Sequence, residues 1–559
     1  MRRTWMFAAL LGSLAASAAA CGSSEVSVGE PVDGGAPLRD GAVPGTPEDG
    51  GGSLGADGAS ADACIPQADE PDESFGDTDC DGIDGSIAKG IFVAPSGATT
   101  GDGSPESPFT SLAAGIAEAQ RAGKDVYACA GTYNAPGLAL SANVRIFGGY
   151  ACNGTRRPER GANATLFTSS TPRALTVTGS TTSVLLDRFS IEAAPGVAAG
   201  EVSAIGLFLR DARVEVRHAS ITAGAGAAGE DGPQVAVAPA LLPNGEAGED
   251  VFTPSAAQIS AGTDFVTCTA FSTSQVCTRE VRGGGRRGPN VLQSCRVKGG
   301  VGGDGSATPG AAVKTGSVGE GSGGAGGTFE AANGANGSAG SAGAVGSGGS
   351  RGFGLVSDTG YAADDNGASG VSGAFGGGGG GGAGGRSYTG VVRNGITYTN
   401  EIAIGAGGGQ GGCGGAGGVG GAGGSAGGAS IGVLARRGTL VLSDVTVTAK
   451  AGGAGGRGAA GTSGQAGSSG GAGGHGSTVA SYAGRGGSGG TGGAGGAGGG
   501  GAGGPSVAIV EDNTVSSVLR CTLVVAAGGA GGSAGGGGAA ARSGRSAERI
   551  TVGADGRAP

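Results

Sequence analysis

Asp77, Asp79 and Asp81 alternate through the stretch Asp77-Thr78-Asp79-Cys80-Asp81-Gly82-Ile83-Asp84-Gly85. Carboxylates at every second residue, with glycine at the sharp turn, suit a loop wrapped around calcium, a hard cation that takes oxygen ligands. The three aspartates would be side-chain ligands, and Ile83 would offer its carbonyl. An EF-hand closes on a bidentate glutamate at its twelfth position, which here is Ala88, so the loop departs from that pattern. Asp84 is the residue placed to substitute, and the ion would be structural. The alternative is a solvated acidic turn without an ion.

Other chemistry is thinner. The only histidines are His218 and His475, the second inside the low-complexity run GAGGHGS. The G-x-S-x-G pattern occurs only inside or at the ends of Gly-rich runs, such as GGSLG (51–55) and GGSAG (423–427), where it marks no nucleophile, and no cysteine has a matching histidine. No paired carboxylates recur at a spacing fit for general acid–base work on a glycoside. Arg188, Arg217 and His218 fall on or beside outward strand positions. They read as a solvated face with cross-strand charge pairs, or as a shallow strip for an anion or a glycan.

Composition narrows the class. Glycine makes up 136 of 559 residues, aromatics are 4%, charged residues are 14% and the net charge is −10. Nucleic acid is excluded as a partner, because phosphate neutralisation needs clustered Lys and Arg, and Arg156-Arg157 and Arg286-Arg287 are isolated pairs. Residues 1–21 read as an export signal: Arg2 and Arg3, a short apolar run from Trp5 to Leu14, then Ala18-Ala19-Ala20-Cys21. The small residues before Cys21 resemble a lipobox, with Ala18 where leucine is usual. The resemblance implies acylation of Cys21 and a membrane contact through the lipid anchor; Ala18-Ala19-Ala20 would also suit cleavage with release. The address is then an outer-membrane or cell-surface lipoprotein, or a secreted protein. No later segment has the roughly 20 apolar residues of a membrane helix.

Residues 22–74, rich in Gly, Pro, Asp, Ala and Ser, read as a disordered acidic tether, followed by the Asp-rich loop at 75–90. Export permits disulfides. Nine cysteines remain beside Cys21, with no CxxC spacing for zinc. The preferred pairs are Cys129 with Cys152 and Cys268 with Cys277, and the odd count leaves a thiol over.

Strands are expected at Ile91–Val93, Val126–Cys129 and Val144–Tyr150. A helix is expected over Phe109–Ala122, with Leu112, Ile116 and Ala119 on one face. Four later segments superpose without gaps: Ala174–Ala193, Ala204–Ala223, Ser430–Ala449 and Ser506–Val525. Leu175, Ile205, Ile431 and Val507 align, then Val177, Leu207, Val433 and Ile509. Further on come Val184, Val214, Leu440 and Ser516, then Leu186, Val216, Leu442 and Val518, then Ile191, Ile221, Val447 and Leu523. Short alternating strands that cannot bury a face alone bury one when copies stack.

The pieces IFVAPSG, GDGSPESPFTSLAAGIAEA, VYACAGTY and VRIFGGY resemble the opening of a right-handed parallel β-helix, the pectin-lyase-like architecture, in a form similar to surface proteins of myxobacteria. The resemblance spans about residues 75–225 and implies an all-β solenoid with a capping helix, over 91–223. Enzymes of that architecture act on polysaccharide, which makes a lyase or hydrolase the alternative function.

Long Gly-Gly-X tracts follow Ala223, Ala449 and Val525, so they leave from one corner. A period of three suits an extended polyglycine-II-like helix, whose neighbours approach closely and exchange backbone hydrogen bonds. Ordering glycine costs roughly 1–2 kcal/mol per residue and each hydrogen bond returns about 1. An ordered glycine sheet and a mobile fringe are therefore both open. The tracts also resemble mycobacterial glycine-rich (PGRS-type) surface proteins. Residues 224–300 read as an irregular β insertion with the Cys268/Cys277 pair, 301–540 as coils interleaved with tracts, and 541–559 as a disordered tail. The expected role is structural or adhesive at the envelope, toward polysaccharide or through self-association.

Overall fold

The computed structural model describes residues 67–96, 101–152, 159–236, 241–250, 266–271, 274–279, 295–304, 314–329, 331–386, 388–393, 396–403, 405–476, 482–537 and 540–559. Residues 1–66, with the expected export signal, Cys21 and most of the expected tether, lie outside them.

Three sheets of parallel strands make up the body. The first contains Gly90–Val93, Asp125–Cys129, Val144–Ala151, Ser183–Asp187, Arg213–Arg217, Thr439–Ser443 and Val515–Leu519, with Glu159–Arg160 added antiparallel beside Val144–Ala151. The second contains Gly131–Ala135, Thr165–Ser169, Phe189–Glu192, Ser220–Ala223, Thr446–Ala449 and Thr522–Val525. The third contains Leu138–Leu140, Arg173–Thr178, Ala204–Arg210, Ser430–Arg436, Ser506–Asp512 and Ser546–Thr551. The chain visits first, second and third sheet in rotation, adding one strand to each per circuit. This all-β arrangement is consistent with a parallel solenoid.

Register explains the apolar pattern. Val184, Val214, Leu440 and Ser516 pair in series, as do Leu186, Val216, Leu442 and Val518, and Ile191, Ile221, Val447 and Leu523. The gapless superposition needs correction at one strand: Leu207 pairs with Leu175, and Ile205 pairs with Arg173. The turn after Thr178 is two residues longer than the turn after Arg210, which shifts the first strand of that copy. Inward residues of all three sheets form one cluster, joined by Leu112, Ile116 and Ala119 of the helix Leu112–Ala122. Ser111 caps that helix by accepting from the Ala114 amide, and Gly123 ends it in the left-handed conformation.

Two sheets are also buried outside. Phe92, Tyr127, Phe147 and Tyr150 of the first sheet pack with Ile83 under residues 67–89. Ile205, Phe208, Ile431, Leu434, Val507 and Val510 of the third pack with Phe353 and Val356. Residues 541–559, read from sequence as a disordered tail, supply the last strand of the third sheet. Backbone pairing with Ser506–Asp512 and burial of Ile550 and Val552 hold it, although its alternation is too weak to stand out. The irregular insertion contains an antiparallel pair, Val266–Phe271 with Ser274–Arg279, in which Cys268 stands opposite Cys277.

The glycine tracts all run from the second sheet to the third: after Ala223, after Ala449 and after Val525. Their described residues are folded into an array of extended segments. In the segment 367–384, consecutive amides point in three directions. Gly367, Gly370, Gly373, Gly376, Gly379 and Gly382 donate to carbonyls of 409–424. Ala368, Val371, Ala374, Gly377, Gly380 and Ala383 donate to carbonyls of 332–347. Gly378, Gly381 and Gly384 donate to carbonyls of 314–320. Three residues per turn give each segment neighbours on all sides.

Residue type follows the neighbours. Where backbone covers every direction, at 376–382, the sequence is unbroken glycine. Where a direction faces solvent, Ser369, Ser372 and Phe375 are exposed. In GGAGGVGGAGG (414–424) a β-carbon on Gly417 would lie 1.9 Å from the Gly373 oxygen, and one on Gly418 2.0 Å from the Thr462 oxygen. Real β-carbons do not approach that closely, so only glycine fits. The intervening Ala416, Val419 and Ala422 take the uncrowded direction.

Replacing Gly418 by Ala should therefore push neighbouring segments apart and break hydrogen bonds worth about 1 kcal/mol each. Thermal unfolding should show a loss of about 2–4 kcal/mol. Ser463→Ala, at an exposed position of the neighbouring segment, should be close to neutral.

Candidate functional site

The acidic loop lies on the outer face of the first sheet, held there by residues on both sides of it. Oxygens of Asp77, Asp79 and Asp69 converge, all within 4.8 Å of one another. Asp69 is the ligand candidate that sequence reading missed, because it falls in what composition assigned to the tether. Asp69 is buried and accepts from the Gly85 amide at 2.9 Å and from Thr78 Oγ1 at 3.0 Å. Asp77 accepts from the Gly82 amide at 2.8 Å.

The remaining loop candidates are used otherwise. Asp81 accepts from the amides of Ile87 at 2.6 Å and Ile83 at 3.2 Å. Burial pushes its carboxyl above the ordinary value, and the charges of Asp79 and Asp77 add to this. Ile83 is a buried side chain of the outer aromatic cluster. Asp84 turns inward, where burial raises its carboxyl against the pull of Arg160.

Arg160 is fully buried between Asp84, at 2.9 Å, and Asp187, at 3.0 Å. Its guanidinium lies over the rings of Phe147, Phe75 and Tyr150. Tyr150 donates to the Asp84 carbonyl, and Tyr127 accepts from the Ser86 amide. This network staples residues 67–89 to the first sheet. Residues 67–74 thus belong to the folded body, with Glu70 on Arg145 at 3.1 Å and Glu73 on His218 at 3.1 Å.

The sequence-derived strip of Arg188, Arg217 and His218 sits beside that staple. His218 Nδ1 meets Asp187 at 3.0 Å, Arg217 pairs with Glu215, and Arg188 lies over the Phe75 ring at 4.7 Å. Arg188, His218, Asp444 and Arg520 occupy equivalent left-handed corners, and Arg520 pairs with Asp444 at 2.6 Å. Each of the three strip residues is thus engaged by a carboxylate or a ring.

A second concentration of charge lies at the corner between third and first sheets. An open cleft of about 500 Å³ is lined by Arg436, Arg437, Asp512 and Asn513. Arg437 pairs with Asp211 at 2.9 Å and with Asp358 at 2.6 Å, and Arg436 reaches Asp358 at 2.7 Å and Asp512. The two guanidinium groups hold the Asp358 carboxyl at about 2. Asp358 is the tip of the hairpin Leu355–Ser357/Gly360–Ala362 that covers the third sheet.

Covalent links fasten the first sheet and the glycine array. Cys129 and Cys152 are bonded, the pairing preferred from sequence. Cys295 and Cys413 are also bonded and join two glycine segments. Nothing in the surrounding low-complexity sequence marks that pair. Cys80 is disulfide-bonded, and the buried Cys521 thiol donates to the Leu519 carbonyl.

Fold and site together define an all-β protein of stacked parallel strands with a hydrogen-bonded glycine array. No family model, no curated protein and no solved structure matches the chain.

The Asp358 carboxyl lies below its unfolded value, so its contribution is present above the ordinary carboxylate range and lost as pH falls through about 2. NMR titration should give a midpoint near 2. Arg437→Ala should raise it toward the unperturbed value of about 3.9.

Proposed function

We propose that the chain is a non-enzymatic scaffold of the bacterial envelope, structural or adhesive in role, exported and anchored through an acylated Cys21. In this reading the stacked sheets are a right-handed parallel β-helix with the helix 112–122 as its cap, and the tracts are a polyglycine-II-like layer. Such a body meets extracellular polysaccharide or further copies of itself, as a surface protein of the myxobacterial kind would. The observation that carries the reading is the glycine array. More than half of the chain after Ala223 is spent on backbone-to-backbone packing whose outer positions carry Ala, Ser, Asn and Val. Repeating positions about 9 Å apart give a broad, regular surface suited to contact. The charged groups of the cleft at Arg436 and Arg437 are occupied with one another.

Calcium has a place in this reading. Asp69, Asp77 and Asp79 would hold it, and it would supply positive charge that ties the loop together, in a structural and not a catalytic role.

Mass spectrometry of the protein made with its own leader should find acyl chains on Cys21. Cys21→Ser should leave an unanchored protein. The anchored protein should bind extracellular polysaccharide and leave it intact; release of sugar fragments would instead favour a lyase or hydrolase. Calcium should raise the melting temperature by about 2–4 °C, and Asp79→Asn should abolish that rise.

A further inference from the structure

Asparagine followed by glycine recurs along the glycine array, and the structure uses the pair in one way. Asn333 Oδ1 accepts from the Arg485 amide at 2.9 Å, and the Gly334 amide donates to the Arg485 carbonyl at 3.0 Å. Asn336 Oδ1 accepts from the Ser488 amide and Gly337 donates to the Ser488 carbonyl, both at 2.9 Å. Asn244 Oδ1 accepts from the Ser469 amide at 3.2 Å, and Gly245 donates to the Ser469 carbonyl at 2.8 Å. Each pair brackets a single residue of a neighbouring segment, engaging both its amide and its carbonyl. Asp231–Gly232 does the same to Arg457, with both bonds at 2.7 Å. The remaining described Asn–Gly pair, Asn366–Gly367, is spread over Ala426 and Gly424, at 2.7 and 2.9 Å.

The same dipeptide is chemically labile. In an open chain the glycine nitrogen loses its proton and attacks Cγ of the asparagine. Ammonia leaves and a cyclic imide forms. Water then opens the ring to aspartate or, at the other carbonyl, to isoaspartate. Only water is consumed, and nothing is oxidised or reduced. Glycine favours the step because no β-carbon restricts the backbone around the attacking nitrogen.

Asn244, Asn333 and Asn336 are all exposed, so burial does not protect them. The bracket does. It holds the glycine N–H on a carbonyl, which opposes loss of the proton. It also holds the carboxamide beside that N–H, aimed at the same residue, whereas attack needs Cγ over the face of the amide. Isoaspartate routes the main chain through the former side chain and lengthens it by a carbon. A layer whose contacts repeat every third residue has no place for that carbon, and the bracket at Ser488 would lose its register.

We propose that Asn244, Asn333 and Asn336 are latent self-modification sites, kept unreacted by the folded array and converted to isoaspartate where it opens. The array is then a one-way device: a segment that stays open long enough to cyclise does not return to its place. The inference needs a folded array and is independent of the envelope role.

The test incubates the full-length protein in mildly alkaline buffer, folded and in guanidinium, and follows each site by peptide mass spectrometry and enzymatic methylation of isoaspartate. Conversion at the three sites should be at least about tenfold slower in the folded protein, as the rarity of local opening sets the rate. Gly487→Ala puts a β-carbon 2.1 Å from the Ala335 oxygen, between the brackets of Asn333 and Asn336. It should speed conversion at those two sites more than at Asn244, with an unchanged circular dichroism spectrum. Ser488→Ala leaves the backbone bracket in place and should keep the wild-type rate. Equal conversion in folded and denatured protein would overturn the proposal, as would a folded Gly487→Ala chain that keeps the wild-type rate at Asn336.

Discussion

In the glycine array a carbonyl oxygen occupies the place where any other residue would carry its β-carbon. That close approach lets extended segments exchange backbone hydrogen bonds in three directions. Every other property of this half of the molecule depends on it: the period of three, the run of unbroken glycine at 376–382, and the appearance of side chains such as Ser369, Ser372 and Phe375 where a direction faces solvent. A β-sheet strand has two neighbours, whereas the segment 367–384 donates to three. The array is therefore a layer with depth, cross-linked through its backbone.

Such a layer has little to spare thermodynamically. Glycine forfeits the most freedom on ordering, and a hydrogen bond returns about 1 kcal/mol net. The strand stack supplies the difference. Tracts that leave from one corner of successive circuits begin side by side, so the entropy of bringing them together is met once, by folding of the apolar stack. Cys295–Cys413 adds a covalent tie inside the array. Asn333 and Asn336 accept from the amides of Arg485 and Ser488 at 2.9 Å, satisfying rim donors that have no backbone partner there.

The sequence made the stack readable because each circuit repeats the same inward alternation. Three of the four superposed copies pair in the expected register, and the helix and the three early strands fall where apolar spacing puts them. The first copy slipped because a turn two residues longer is invisible to a pattern that counts from strand to strand. The common exit corner was legible, but the order of the tracts was not, since the local energies nearly cancel and the deciding term is tertiary. The candidate metal loop was half legible. Asp77 and Asp79 converge, but Asp69 joins them from compositionally disordered sequence, while Asp81 and Asp84 are drawn to backbone amides and to Arg160. No spacing rule links Arg160 to Asp84 across 76 positions, and a buried ion pair of that kind declares itself only in three dimensions.

Amide hydrogen exchange over residues 405–436 tests most directly whether the tracts are structure. This stretch runs from glycine array into the strand Ser430–Arg436. If the array is folded, the amides of Gly415, Gly418, Gly421 and Gly424 exchange as slowly as those of the strand, opening only with the whole body. If they exchange at the rate of a free peptide while the strand stays protected, the array is not a folded layer and the scaffold reading falls with it.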